Sequence, residues 1–175
     1  MAWARDEGLR QADGVIGLSA VTDETFVGPS WRDNADMDLC LRPFGQLLRR
    51  MPHIVVGASQ WWSYRISPAD SMLSPLRGDL AGLPPTLLLA STAEMALDDS
   101  VRYANKAEAA GSPVDLRLWD HMGHVWPFFA PILDEGEAAF DHIVDFVEAQ
   151  RRRDTSRRRS DSLRVAREHE QVLTG

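Results

Sequence analysis

Residues 82–126 read GLPPTLLLASTAEMALDDSVRYANKAEAAGSPVDLRLWDHMGHVW, and their pattern decides the fold. Two prolines near the start lead into a short apolar run, which predicts a buried strand rather than a helix. Residues 114–119 alternate between apolar and polar side chains, which predicts a second strand with one wetter face. Between the two strands, apolar residues recur at helical spacing as far as Gly111. This spacing predicts a helix that is capped at its start by Asp98 and Asp99.

Strands and helices also alternate on both sides of this stretch. Residues 13–22 form an apolar run closed by polar residues, which predicts an earlier buried strand. Apolar residues between positions 140 and 147 mark one face of a helix that runs to about Arg152. We therefore expect an α/β fold with about three mostly parallel strands and flanking helices. The outer strand of such a small sheet leaves an open edge.

The stretch between the first two predicted strands is irregular. Residues 23–76 contain five prolines, which predicts loops with short helices and makes this insert a candidate cover for a site. We accordingly divide the chain into a partial domain at 1–150 and an Arg-rich tail at 151–175. The tail is expected to fray from the last helix.

The composition is that of one globular domain. The chain has 175 residues, of which 44% are hydrophobic and 26% are charged. No run reaches the roughly eighteen apolar residues of a membrane span, and no secretory leader is visible, so no integral membrane segment is expected. A single cysteine, Cys40, forms no internal disulfide, which indicates a reducing, cytoplasmic location.

The charge is unevenly distributed along the chain. The net charge is −7, from 19 basic and 26 acidic residues, and the first 150 residues hold 11 of the basic and 22 of the acidic ones. An acidic body argues against binding to nucleic acid. The sequence has no Gly-rich phosphate loop, no Cys-x-x-Cys and no His-Glu-x-x-His, so neither a cofactor nor a metal is expected.

Two residues that can carry chemistry follow the second and third predicted strands, at the edge where parallel sheets form their sites. Glu94 lies in the turn after the second strand, and His124 lies in a Gly-containing loop after the third. Because adjacent strands are about 4.8 Å apart, these loops bring a carboxylate to an imidazole. Such a pair is the acid–base half of a hydrolytic triad. The alternatives are a solvated loop glutamate and a surface histidine, and His121 is expected to be an exposed neighbour.

The sequence around these residues resembles the C-terminal part of the hormone-sensitive lipase family of α/β-hydrolases. The resemblance covers roughly residues 12–150, and its most specific parts are Gly-Leu-Pro-Pro at 82–85 and His-Val-Trp at 124–126. In that family the triad acid, Asp or Glu, lies thirty residues before the histidine. Since 124 minus 94 is 30, the resemblance selects Glu94 over Asp98.

Two motifs of that family do not occur in these 175 residues. Members carry Gly-Asp-Ser-Ala-Gly or a close variant at the nucleophile elbow, and a His-Gly-Gly segment that builds the oxyanion hole. In this fold the nucleophile precedes the acid and the histidine. Ser19 and Ser59 both lack the second glycine of an elbow, and Ser19 is expected within the first strand. Neither serine is therefore expected to be a nucleophile.

The resemblance implies a carboxylic-ester hydrolase of the serine esterase or lipase type. It is expected to be a fragment that carries Glu94 and His124 without the serine, and to be inactive in isolation. A small carboxylic ester would be the substrate once the missing half completed the site. The alternative is a non-catalytic remnant or interaction module, which pairs through its open sheet edge with a second copy or with a complementary fragment.

Overall fold

The computed structural model describes the backbone of residues 1–174 and the side chains of residues 1–156, 159, 160, 162 and 164. Within this part of the chain, three strands alternate with six α-helices. In chain order they are α1 (Ala2–Asp6), β1 (Val15–Leu18), α2 (Ser30–Asp33), α3 (Arg42–Arg50), α4 (His53–Tyr64), β2 (Thr86–Ser91), α5 (Leu97–Ala109), β3 (Val114–Trp119) and α6 (Asp134–Thr174).

The three strands form one parallel sheet in the order β1-β2-β3. Gly17 pairs with Leu88, which in turn pairs with Leu116. A Cβ at Gly17 would come within 2.7 Å of the Leu88 side chain, so the absence of a side chain there lets Leu88 lie over β1. β2 is buried along its whole length because it has a strand on each side and helices over both faces of the sheet. The predicted α/β fold, with about three parallel strands and flanking helices, is confirmed.

Helices cover both faces of this sheet. Leu87 and Leu89 of β2 pack with Ala139 of α6. Val114 of β3 lies on the opposite face, beside Ala107 of α5, because successive residues of a strand point to alternate sides. Full burial of each such leucine contributes about 2 kcal/mol. The sheet is thereby fixed between α5 and α6, and the loops at its carboxyl edge start from a rigid base.

Helix α6 is longer than the sequence pattern predicts. Its apolar face ends near Arg152, but the helix continues to Thr174. Residues 153–174 contain neither proline nor glycine, and many of them favour helix, so nothing in the sequence ends it earlier. The division of the chain into a domain at 1–150 and a tail at 151–175 stays a prediction.

The insert at residues 23–76 contains three helices, α2, α3 and α4. Its side chains Trp31, Leu48 and Val56 form a buried cluster with Met95, which lies in the turn after β2. The insert therefore packs against the carboxyl edge of the sheet. Its role as a cover for a site remains a hypothesis.

The start of α5 is capped by a side chain of the insert. The N–H of Asp98 donates to Ser30 Oγ at 3.0 Å, and the Ser30 hydroxyl donates to the carbonyl of Met95 at 2.7 Å. The Asp98 carboxylate in turn accepts the N–H of Ser30 at 2.7 Å. The prediction that Asp98 and Asp99 cap this helix is therefore wrong. The Ser30 hydroxyl, distant in sequence, accepts an N–H of the first helical turn. The carboxylates of Asp98 and Asp99 instead bind the insert and the residue that precedes it.

Asp99 is a buried acceptor that joins three segments. Its Oδ2 accepts the N–H groups of Thr22 and Asp23, both at 2.8 Å, and its Oδ1 accepts the indole N–H of Trp31 at 3.0 Å. Burial raises the pKa of Asp99, and these three donors offset part of that increase. The segment after β1, the insert and α5 are thus tied together at one carboxyl group.

Asp23 is also fully buried, but its partners are cationic. It forms salt bridges with Arg77 at 3.0 Å and with Arg102 at 3.4 Å. Burial raises the pKa of Asp23, but the hydrogen bonds from Arg77 and Thr25 outweigh burial, so the pKa lies below its ordinary value of 3.8. The ionised form of Asp23 therefore stabilises the fold.

We expect Asp23→Asn to lower the free energy of unfolding at pH 7 by about 1–2 kcal/mol, because the variant lacks the charge that binds Arg77 and Arg102. The contribution of Asp23 is complete above pH 3.8 and is lost as the pH falls through the lower pKa of the folded state. The stability gap between the two proteins should therefore shrink on acidification. Urea unfolding followed by tryptophan fluorescence at pH 7, 5 and 3 measures this gap.

The matched control is Asp115→Asn, which removes an exposed carboxylate paired with Arg117. This control should change the free energy of unfolding by less than about 0.5 kcal/mol. The difference in the free energy of unfolding between wild type and Asp23→Asn could instead stay constant or widen at pH 3. That result would contradict the conclusion that ionised Asp23 stabilises the fold.

Candidate active site

Glu94 and His124 meet at the carboxyl edge of the sheet. Glu94 lies in the turn after β2, and His124 lies in the loop after β3. His124 Nδ1 is 3.1 Å from Glu94 Oε2. The Glu94 side chain is fully buried, and the His124 side chain is 18% exposed. The structure thus brings together the two residues that the sequence placed at this edge.

Both oxygens of the Glu94 carboxylate have partners. Oε1 accepts the N–H of Ser91 at 2.6 Å, while Oε2 faces His124. The Ser91 contact is local, because the turn folds the glutamate back onto the residue three positions earlier. A buried carboxylate costs several kcal/mol when it is unpaired, so these two contacts are what allow it to be buried here.

Two side chains of the insert hold the Glu94 turn from outside. Asn34 Nδ2 donates to the carbonyls of Thr92 and Glu94, at 3.0 and 2.7 Å. Asp38 Oδ2 accepts the N–H of Met95 at 3.1 Å. No sequence pattern points to either residue, because an irregular insert gives no signal of where its polar groups dock. The one feature visible in the sequence is that two polar residues, Asn34 and Asp38, lie four positions apart shortly after Trp31.

This arrangement can orient an imidazole for proton transfer. A carboxylate opposite Nδ1 selects the tautomer with its proton on Nδ1, which leaves the lone pair on Nε2. The same carboxylate stabilises the imidazolium that forms when Nε2 takes a proton. The pair can therefore serve as the acid–base half of a hydrolytic site.

Known proteins match most of this chain. The model of a protein family described as alpha/beta hydrolase fold matches residues 1–128. The chain belongs to this family. An esterase of Acinetobacter venetianus is 32% identical to the chain over 134 residues, which are 77% of this chain and 42% of the relative.

Solved structures give the same result for this α/β-hydrolase. An esterase from the bacterial hormone-sensitive lipase family has a TM-score of 0.70 at 34% identity, over 85% of this chain and 47% of its own. EstE5, in a crystal soaked with p-nitrophenyl butyrate, has a TM-score of 0.70 at 31% identity, over 85% and 47% of the two chains. The resemblance to the hormone-sensitive lipase family is confirmed. The chain spans about half or less of the length of these relatives.

The two serines considered as nucleophiles lie in different parts of this α/β-hydrolase chain. Ser19 directly follows β1 with φ +50°, so the expectation that it lies within the strand is wrong: the chain turns there toward the insert. Ser19 is 3% exposed, and its Oγ accepts the N–H of Val125 at 2.8 Å. Ser59 lies within α4 and donates to the carbonyl of Val56 at 2.8 Å. Ser19 is thus beside the His124 loop but shielded from solvent.

Other features of the described residues bear on metals, membranes and the second histidine of the loop. Among the side chains that the structure describes, no group of three or more His, Cys, Asp or Glu residues is placed to hold a metal ion. None of the described helices combines the length and the apolar character needed to cross a membrane. His121 is exposed, as the sequence predicts, and its backbone N–H donates to Thr92 Oγ1 at 3.2 Å.

We expect Asn34→Leu to lower the free energy of unfolding by about 2–3 kcal/mol, because the carbonyls of Thr92 and Glu94 then lose their donor inside a buried turn. Chemical unfolding followed by far-UV circular dichroism measures the change. The same substitution at Asn105, which is exposed on α5, is the control and should stay within about 0.5 kcal/mol of the wild type. Equal stability of the two variants would show that Asn34 does not hold the turn.

Proposed function

We propose that this chain supplies the acid and the base of a serine carboxylic-ester hydrolase, with Glu94 and His124 in these roles. The observation that carries the proposal is the 3.1 Å contact between His124 Nδ1 and Glu94 Oε2 at the carboxyl edge of the sheet. The esterase relatives support the substrate class. The nucleophilic serine and the oxyanion donors would come from polypeptide outside these 175 residues, so we expect the isolated chain to be inactive.

In the complete site, His124 acts first as a base and then as an acid. Its Nε2 takes the serine proton while the serine oxygen bonds to the ester carbonyl carbon, whose π electrons move to the carbonyl oxygen. The tetrahedral intermediate then expels the alkoxide, which takes the proton from Nε2 and leaves as the alcohol. Water repeats both steps on the acyl-enzyme and releases the carboxylic acid. Glu94 keeps the proton on Nδ1 and stabilises the imidazolium throughout.

A hybrid enzyme tests these roles. Residues 12–150 of this chain would replace the corresponding C-terminal part of the Acinetobacter venetianus esterase, with p-nitrophenyl butyrate as the substrate. We expect the hybrid to hydrolyse the ester and the isolated 175-residue chain to show no turnover. His124→Ala in the hybrid should lower kcat at least about a hundredfold, because general acid–base catalysis contributes about 10²–10⁴-fold. Glu94→Gln should also lower kcat, because the ring loses its orienting charge.

The chain offers a matched control for each residue. His121→Ala removes the neighbouring exposed histidine, and Asp98→Asn removes the other acid near the turn. Both variants of the folded hybrid should keep its kcat. Equal activity of His124→Ala and His121→Ala would refute the assignment. Hydrolysis by the isolated chain that a serine-directed phosphonate abolishes would instead place a nucleophile within the 175 residues.

A second candidate function is pairing through the open edge of β1. The N–H groups of Val15 and Ser19 point at β2, each 2.8 Å from its acceptor. Backbone N–H and C=O groups of successive residues in a strand point to opposite sides. The groups of Ile16 and Leu18 therefore point away from the sheet. Beside them lies a cavity of about 450 Å³, whose lining includes the apolar residues Ile16 and Val147 and the charged residues Asp13 and Arg151. Unpaired strand edges next to apolar surface favour the addition of another strand.

The partner that best fits this edge is a complementary half of the same fold. The chain spans 42% of its esterase relative, and a parallel strand followed by a helix would cover both the edge and the cavity. A second copy of the chain would occupy the edge when that half is absent. The cytoplasmic location indicated by the single Cys40 stays a prediction.

We expect the isolated chain to self-associate in size-exclusion chromatography with light scattering. Ile16→Pro should return it to a monomer, because proline removes an outward N–H and leaves the ladder with β2 intact. Ile132→Lys, which removes a highly exposed apolar side chain elsewhere, should leave association unchanged. A monomeric wild-type chain that unfolds cooperatively would argue against a partner-seeking edge.

A further inference from the structure

The loop that carries His124 is anchored by hydroxyl groups. The N–H of His121 donates to Thr92 Oγ1 at 3.2 Å, and the N–H of Met122 donates to Ser91 Oγ at 2.8 Å. On the far side of the histidine, the N–H of Val125 donates to Ser19 Oγ at 2.8 Å. Thr92 and Ser91 come from β2 and the turn after it, next to Glu94. Ser19, which directly follows β1, anchors the loop from the neighbouring end of the sheet.

Ser19 is itself rigidly placed. Its N–H donates to the carbonyl of Leu89 at 2.8 Å, its side chain is buried, and its φ is +50°. Val125 also lies in the left-handed region, with φ +52°. Such values cost of order 1 kcal/mol or more for residues other than glycine, so the surrounding contacts have to hold them. The hydrogen bond between Ser19 and Val125 joins these two strained positions.

We propose that Ser19 is a positioning residue whose hydroxyl fixes the His124 ring against Glu94. Val125 follows His124 directly, so anchoring its N–H fixes the backbone from which the ring projects. Glu94 is already held by Ser91 within its own turn, at 2.6 Å, which leaves the histidine as the partner that has to be positioned. This role of Ser19 rests on the proposed function of Glu94 and His124. It does not make Ser19 a nucleophile.

The orientation of the ring can be read in the full chain without any turnover. Long-range ¹H–¹⁵N spectra of the imidazole, recorded at pH 9, distinguish the protonated from the bare ring nitrogen and so report the tautomer of His124. In the wild type we expect the Nδ1–H tautomer to dominate. In Ser19→Gly and Ser19→Ala we expect the ¹⁵N shifts of the two ring nitrogens to converge. Their separation should fall to about half, because the ring then samples both tautomers.

The two Ser19 variants separate the hydroxyl from the backbone strain. Glycine relieves the left-handed conformation, whereas alanine keeps the strain, so their stabilities should differ although both lack the hydroxyl. Both should change the tautomer signal alike if the hydroxyl positions the ring. If the alanine variant does not fold, the glycine variant alone decides the matter. Ser59→Ala, a serine bonded within its own helix, is the control and should leave the His124 signal unchanged.

The outcomes separate this inference from the proposed function. A wild-type ring with no tautomer preference would refute the Glu94–His124 pair, and with it the role of Ser19. A preference that is present in the wild type and unchanged in Ser19→Gly would overturn the role of Ser19 alone. A loss of preference in both Ser19 variants, but not in Ser59→Ala, would support the proposal.

Discussion

A fully buried carboxylate at the end of β2 sets the conditions for the whole candidate site. Glu94 can be buried because the Ser91 N–H satisfies one of its oxygens and His124 faces the other. The register that pairs Ser91 with Trp119 starts the two loops side by side. A slip by one residue would turn Leu89 to the wrong face of the sheet and would also part the loops. Core packing and the acid–histidine contact therefore depend on the same strand pairing.

The insert is joined to this edge by polar contacts as well as by its apolar cluster. Asp99 binds the segment after β1 and the indole of Trp31, while Asn34 binds the carbonyls of the Glu94 turn. A buried polar network favours one arrangement when all of its members are hydrogen-bonded. Any other arrangement would leave a buried polar group without a hydrogen-bond partner. The position of the insert and the geometry of the Glu94 turn are thus coupled. The same 23–76 segment that looks irregular in sequence helps to hold the site.

Local patterns predict the strands and place the loops of Glu94 and His124 together, because a parallel sheet brings successive strand ends to one edge. The choice of Glu94 over Asp98 comes from the family resemblance and not from these patterns. Contacts between distant segments are not encoded in this way. The N-cap rule points to Asp98 and Asp99, but tertiary packing places the Ser30 hydroxyl at the start of the helix. Asn34 shows the same limit, since its partners lie about sixty residues away and share no pattern with it. Apolar periodicity likewise ends before α6 does, because residues that favour helix can extend it without an apolar face in the sequence pattern.

The hydrogen bonds described for Glu94 and the His124 loop join residues within 19–125, from the residue after β1, the insert, the β2 end and the loop after β3. The acid–histidine contact is therefore made entirely within the described residues. Under the proposed function, further polypeptide would present one serine oxygen to Nε2 of His124 and donors to the oxyanion. Glu94 would already give the histidine its orientation and its counter-charge. Preorganisation of this kind lowers the entropy that has to be lost when the reacting groups meet.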